Sequence, residues 1–143
     1  MLRVGTVGTS SIMRTIQEAI RLTDGMECRV VYSRTGEQGR AFAAEMGVPE
    51  HCTDYAAMLE RSDLDLIDSA SPNRFHAEQA LAALEHGKHV IVEKPAAVTR
   101  GDVQRLIDAA RANGVYFFEA ITTLFMPQYE ACRLLLPKLG RIE

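Results

Sequence analysis

Short apolar runs alternate with amphipathic stretches along the chain. Leu2 to Val7 reads as a first strand. Ser10 or Ser11 then caps a helix whose apolar positions, Ile12, Ile16, Ala19 and Ile20, recur at helical spacing. Asp24-Gly25 marks a turn, and Met26 to Tyr32 reads as a second strand. Glu37 to Met46 follows as a helix with Ala41, Phe42 and Met46 inward, stopped by Gly47. A short extended piece near His51 to Thr53 precedes a helix capped by Asp54, with Tyr55, Met58 and Leu59 on one face. Leu64 to Ala70 is a further strand. Pro72 separates it from a helix through Ala77, Ala80, Leu81 and Leu84 that ends at Gly87. His89 to Glu93 is a strand. Thr99 opens a helix with Val103, Leu106, Ile107 and Ala110 inward, and Gly114 closes it. Val115 to Ala120 is a last strand, and Pro127 starts a helix that reaches Leu136.

Apolar strands that alternate with helices predict an α/β fold: a doubly wound parallel sheet, Rossmann-like, with helices on both faces. The composition agrees, with 47% hydrophobic and 24% charged residues, so disorder is excluded. The 143 residues suit one domain with a real core. A net charge of -3 argues against nucleic acid, which needs a basic stripe. No apolar run approaches the ~20 residues of a membrane span, and Gly8 breaks the first apolar run, so no signal peptide is read. Cys28, Cys52 and Cys132 form no paired pattern; they read as buried small hydrophobes in a reducing compartment, and the expected location is the cytoplasm. His86 and His89 flank Gly87 and would not share a helix face, so no metal site is expected.

In such a sheet ligands bind beyond the carboxyl ends of the strands. After the first strand stand Gly8, Thr9, Ser10, Ser11, Ile12 and Met13. A dinucleotide turn wants G-x-G-x-x-G/A. Gly8 fits the first place, while Ser10 and Met13 stand where the other small residues belong. Free amides of a helix start and two serine hydroxyls still suit phosphate, although the same turn would serve as a plain helix cap. After the second strand, Ser33-Arg34-Thr35 lies about 25 positions beyond Gly8 and has no acid for a ribose 2′-hydroxyl. A hydroxyl beside a guanidinium suits a 2′-phosphate and points to NADP, with NAD as the other possibility; a solvated strand-end arginine would look the same. After the next strand come Ser71, Pro72, Asn73 and His76, with Asn73 placed to cap a helix and His76 reading as a first-turn surface residue. After the His89 strand come Glu93, Lys94 and Pro95. A lysine partly buried there could hydrogen-bond a substrate hydroxyl or carbonyl, or could simply snorkel.

These residues resemble the N-terminal half of the Gfo/Idh/MocA oxidoreductases. The resemblance rests on Val4-Gly5-Thr6-Val7-Gly8-Thr9, on Ser71-Pro72-Asn73-x-x-His76, on Gly87 through Pro95, and on Phe118-Glu119-Ala120. It implies a Rossmann domain for NAD(P) over residues 1–120, with Asn73 and His76 near the cofactor. It implies Lys94 as the active-site lysine, placed by Glu93 and by a Pro95 bond that is often cis. Reversible oxidation of a secondary hydroxyl of a sugar, polyol or related diol would be the activity. Ser10 and Met13 depart from the family's glycine turn. Family members continue into a second domain that holds most of the substrate pocket. Residues 121–143 then read as a linker helix and, from Gly140 to Glu143, the beginning of that domain.

Three functions compete: the cofactor half of an NADP-dependent oxidoreductase acting on a small-molecule substrate, a non-catalytic nucleotide-binding or interaction module (or half of a split dehydrogenase), and a CoA-binding domain. The last leaves Glu93-Lys94-Pro95 unexplained. Phe117, Phe118, Phe125, Tyr129 and Leu134-Leu135-Leu136 lack an obvious cover, which suggests a homo-oligomer or docking to a further domain.

Overall fold

A computed structural model describes residues 1–140. Six strands run parallel: β1 (Leu2–Val7), β2 (Met26–Tyr32), β3 (Glu50–Cys52), β4 (Leu66–Ser69), β5 (His89–Glu93) and β6 (Phe117–Ala120). Their order is β3-β2-β1-β4-β5-β6, so the strand order reverses between β1 and β4. This is the expected doubly wound sheet. The helices are α1 (Ser11–Leu22), α2 (Gly36–Met46), α3 (Tyr55–Leu59), α4 (His76–Glu85), α5 (Arg100–Asn113) and α6 (Pro127–Leu135). The core has two sides. Met13, Ile20, Phe42 and Ala43 of α1 and α2 pack on Val4, Val31 and Leu66. Met58, Ala80, Leu84 and Leu106 of α3, α4 and α5 pack on Ile67, Val90 and Val92 from the other face.

Local chemistry sets the boundaries. The hydroxyl of Ser10 accepts from the Met13 amide (3.4 Å), Asp54 from Ala57 (3.0 Å) and Thr99 from Asp102 (3.1 Å), so three helices start on side-chain caps. Gly47 and Gly114 end α2 and α5 in the left-handed conformation.

Several expectations need correction. The buried stripe of α1 is Met13, Gln17 and Ile20, whereas Ile12 and Ala19 are exposed; the helix presents Met13 rather than Ile12 to the core, where Met13 packs with Val31, Phe42 and Ala70. Ala41 is also exposed, and Ala43 takes its place beside Phe42. Asn73 caps nothing: a 3-10 turn over Asn73–Phe75 precedes α4, which has no side-chain cap. Cys28 and Cys52 are half-buried and Cys132 is exposed, since α6 buries none of its residues. Phe117 packs against the core, while Phe118, Phe125, Tyr129 and Leu134 to Leu136 are exposed. The expected beginning of a second sheet falls largely on 141–143, outside the described residues.

Candidate functional site

The turn after β1 approaches the end of β4 closely. Gly8 has φ +111°, and a Cβ there would meet the Ala70 carbonyl oxygen at 2.9 Å. Its amide donates to the Tyr32 carbonyl (3.0 Å), which ties the turn to the end of β2. Ser10 stands in the second glycine's place and spends its hydroxyl on the cap. The amides of Ser11 and Ile12 lie in the first turn of α1, where no intrahelical acceptor exists, and no carboxylate occupies that turn. We expect Gly8→Ala to cost about 3 kcal/mol, from a disallowed backbone and a backbone clash. A fall in urea midpoint with an unchanged slope would show it; an unchanged midpoint would contradict it.

A cleft of about 330 Å³ opens above this turn. Gly8, Thr9 and Ser10 line its floor, Ser33, Arg34 and Gln38 one side, and Ser71, Pro72, Phe75 and Gln79 the other. Ser33 is buried and Arg34 exposed. Among the described residues Arg34 pairs with no carboxylate, unlike Arg14, which is held by Glu45, and Arg61, which is held by Glu50 and Asp63.

A second cavity, about 270 Å³, adjoins the first and shares Ala70 and Ser71 with it. Its other lining residues are Ile12, Asn73, His76, Glu93 and Lys94. Every candidate residue therefore lines one of the two cavities except Ser11, which is exposed at the start of α1.

Two residues differ from expectation. His76 is 1% exposed, not a surface residue. Its ring stands between the loops after β4 and β5: Nδ1 is 2.8 Å from the Pro95 oxygen and Nε2 is 2.6 Å from the Ser71 oxygen. Lys94 is exposed rather than partly buried: β5 ends at Glu93, so Lys94 lies beyond the sheet; the Lys94–Pro95 bond is cis. The Lys94 amide donates to its neighbour Glu93 (3.3 Å).

Sequence reasoning missed Gln38, Phe75 and Gln79, which only helix geometry brings to the cleft. It also missed Asp68. This carboxyl is 7% exposed, lies across from Thr6 of β1 and Ile91 of β5, and leaves Oδ1 without a partner. Burial, with Glu93 adding repulsion, pushes its pKa from 3.8 up to about 7. The available signal was a lone carboxylate inside an apolar strand. Among the described residues no three metal-binding side chains cluster.

Comparisons agree with this architecture. Residues 2–121 match the model of the oxidoreductase family with an NAD-binding Rossmann fold, Gfo/Idh/MocA. A scyllo-inositol 2-dehydrogenase (NADP(+)) of Bacillus subtilis (strain 168) is 34% identical over 143 residues, all of this chain and 44% of the relative. A 1,5-anhydro-D-fructose reductase of Ensifer adhaerens is 39% identical over 116 residues, 80% of this chain and 34% of the relative. The 3-ketoreductase KijD10 from Actinomadura kijaniata, solved with NADP and TDP-benzene, superposes with a TM-score of 0.90 at 31% identity, covering 96% of this chain and 42% of that one. Biliverdin reductase from Synechocystis sp. PCC 6803, solved with biliverdin and NADP+, superposes at 0.89 with 28% identity, covering 98% and 44%. The chain thus spans less than half the length of these relatives. With its parallel sheet, its strand order and this match, the chain belongs to the Gfo/Idh/MocA oxidoreductase family and carries that family's NAD-binding Rossmann fold.

Proposed function

We propose that the chain is the cofactor-binding half of an NADP-preferring oxidoreductase acting on a secondary hydroxyl, or the matching carbonyl, of a sugar, polyol or diol. The observation that carries this reading is the pair of adjoining cavities along the carboxyl edge of the sheet, from Arg34 past the Gly8 turn to Lys94. The residues fit a long, phosphate-bearing ligand. A side chain at Gly8 has no room, the first-turn amides of α1 lack acceptors within the helix, and the Arg34 guanidinium is unspent.

Gly8, Thr9, Ser10, Ser11 and Ile12 would hold the pyrophosphate, and Ser33 with Arg34 the 2′-phosphate. Ser71, Pro72, Asn73 and His76 would line the middle of the ligand, with Glu93 and Lys94 at its reactive end. Bound nicotinamide supplies or accepts the hydride. Lys94 delivers a proton to the substrate oxygen during reduction and withdraws it during oxidation. Residues 1–120 form the cofactor domain in this reading, and 121–143 lead toward a substrate domain. The names of the inositol dehydrogenase and the anhydrofructose reductase support the substrate class. Biliverdin is no sugar, so the fold alone does not support it.

Arg34→Ala tests the reading. NADPH affinity, followed by cofactor fluorescence, should fall about 10- to 100-fold with loss of a charge-assisted phosphate contact. NADH affinity should stay within about twofold, because NADH has no 2′-phosphate for Arg34 to hold. Equal losses for both cofactors, or no NADPH binding by the folded parent, would contradict it.

A partner surface is also favoured. Phe125 is 88%, Leu134 68% and Leu139 66% exposed, which supports docking of α6 and its flanking turns to a substrate domain or a second copy. No described helix is long and apolar enough to cross a membrane.

A further inference from the structure

Glu119 stands in the Phe118-Glu119-Ala120 motif, and none of the roles above uses it. It lies in β6 opposite Val92 of β5. Its carboxylate reaches past the end of β5 and accepts a hydrogen bond from the Ala96 amide at 2.8 Å. Ala96 itself is 3% exposed. The carbonyl of that same Pro95–Ala96 peptide is also engaged, with the His76 ring 2.8 Å from the Pro95 oxygen. The two backbone groups that follow Lys94 in the chain are thus each engaged by a side chain from another element. Lys94 has no side-chain bond of its own among the described residues, so its position depends on how firmly this turn is held.

We infer that Glu119 is a positioning residue for Lys94: by capping the Ala96 amide it sets where the Lys94 amine stands in the second cavity. The inference rests on the proposed role of Lys94. A carboxylate accepting from a backbone amide makes a charge-assisted bond, stronger than a neutral one. An amide oxygen could accept the same bond, whereas a thioether of similar length accepts only weakly. Glu119→Gln and Glu119→Met therefore separate the acceptor from the charge.

Lys88, Lys94 and Lys138 are the lysines of the chain. Lys88 is buried, with Nζ donating to the Arg61 and Leu64 carbonyls, and Lys138 is exposed far along the chain. Acylation of Lys94 relative to Lys138, read by mass spectrometry, therefore reports the amine's surroundings with an internal reference. In cofactor-free Glu119→Met the Lys94 to Lys138 ratio should shift about fivefold, the scale of one hydrogen bond. Hydrogen exchange at the Ala96 amide should accelerate about tenfold while β5 and β6 amides keep their protection. Glu119→Gln should stay close to the parent in both readouts. Adding NADPH should shield Lys94 selectively in the parent and in Glu119→Gln, and not in Glu119→Met. An unchanged ratio in Glu119→Met overturns the inference, as does unchanged Ala96 exchange or a Glu119→Gln protein that behaves like Glu119→Met. If the parent fails to bind NADPH, the cofactor reading falls, and the cofactor-free ratio still decides the role of Glu119.

Discussion

Lys94→Met is expected to lower turnover about 10³-fold in the assembled oxidoreductase, within the range a positioned proton donor contributes. NADPH affinity should remain within about twofold, because Ser33, Arg34 and the Gly8–Ser10 turn, the groups proposed to hold the 2′-phosphate and most of the pyrophosphate, line the other cavity. The prediction follows from placement. Lys94 is the lysine lining the second cavity, together with Ile12, Asn73 and His76. Methionine keeps the length of the side chain and removes the transferable proton. The loss should therefore appear in kcat, with little change in KM for the cofactor. Comparable losses in kcat and in cofactor affinity would instead make Lys94 a cofactor-binding group. Full activity would remove it from the chemistry.

The second large effect is one of stability. Asp68 holds its proton more tightly in the folded chain, where its pKa is about 7, than in the unfolded chain, near 3.8. Between those values the folded state binds the extra proton, so stability falls as pH rises from about 4 to about 7, and the loss is complete above the folded value. The rise from 3.8 to about 7 corresponds to about 4 kcal/mol at most. Asp68→Asn removes the charge at nearly constant shape. At pH 8 the variant should be more stable by about 2 kcal/mol, less than the full amount because a buried amide leaves polar atoms unpaired. Near pH 4.5 the advantage should vanish. Asp65 works in the opposite sense: bonds from Arg3 hold its carboxyl well below the usual range, so its contribution is lost only as pH falls further. That dependence is common to parent and variant. Urea unfolding at both pH values checks the difference, and parallel pH profiles for the two proteins would contradict it.

What could be read from sequence was mostly local. Ser10, Asp54 and Thr99 announce helix starts because a cap needs only its own next few residues. The alternation of strands and helices gives the parallel sheet because the period of each element is written in its own residues. The residues along the carboxyl edge could be named because the topology places every strand end on one side. Long-range packing was hidden. His76 lies between the Ser71 and Pro95 carbonyls, and its burial depends on a loop nineteen positions away. The Glu119 bond joins residues twenty-three positions apart. Met13 looked like a defect in a glycine turn; in the fold it is a core residue, which rotates the buried face of α1. Asn73 failed as a cap because a 3-10 turn intervenes before α4 begins. Lys94 is exposed because the chain leaves the sheet directly after Glu93.

The central claim is that one extended ligand occupies both cavities. Titrating the isotope-labelled chain with NADPH and following backbone amide shifts tests it most directly. The account predicts one saturable event of unit stoichiometry that moves Gly8 to Ile12, Ser33 and Arg34, and Asn73 and Lys94 together, with a common dissociation constant. Shifts confined to one cavity, or different constants for its two ends, would contradict it.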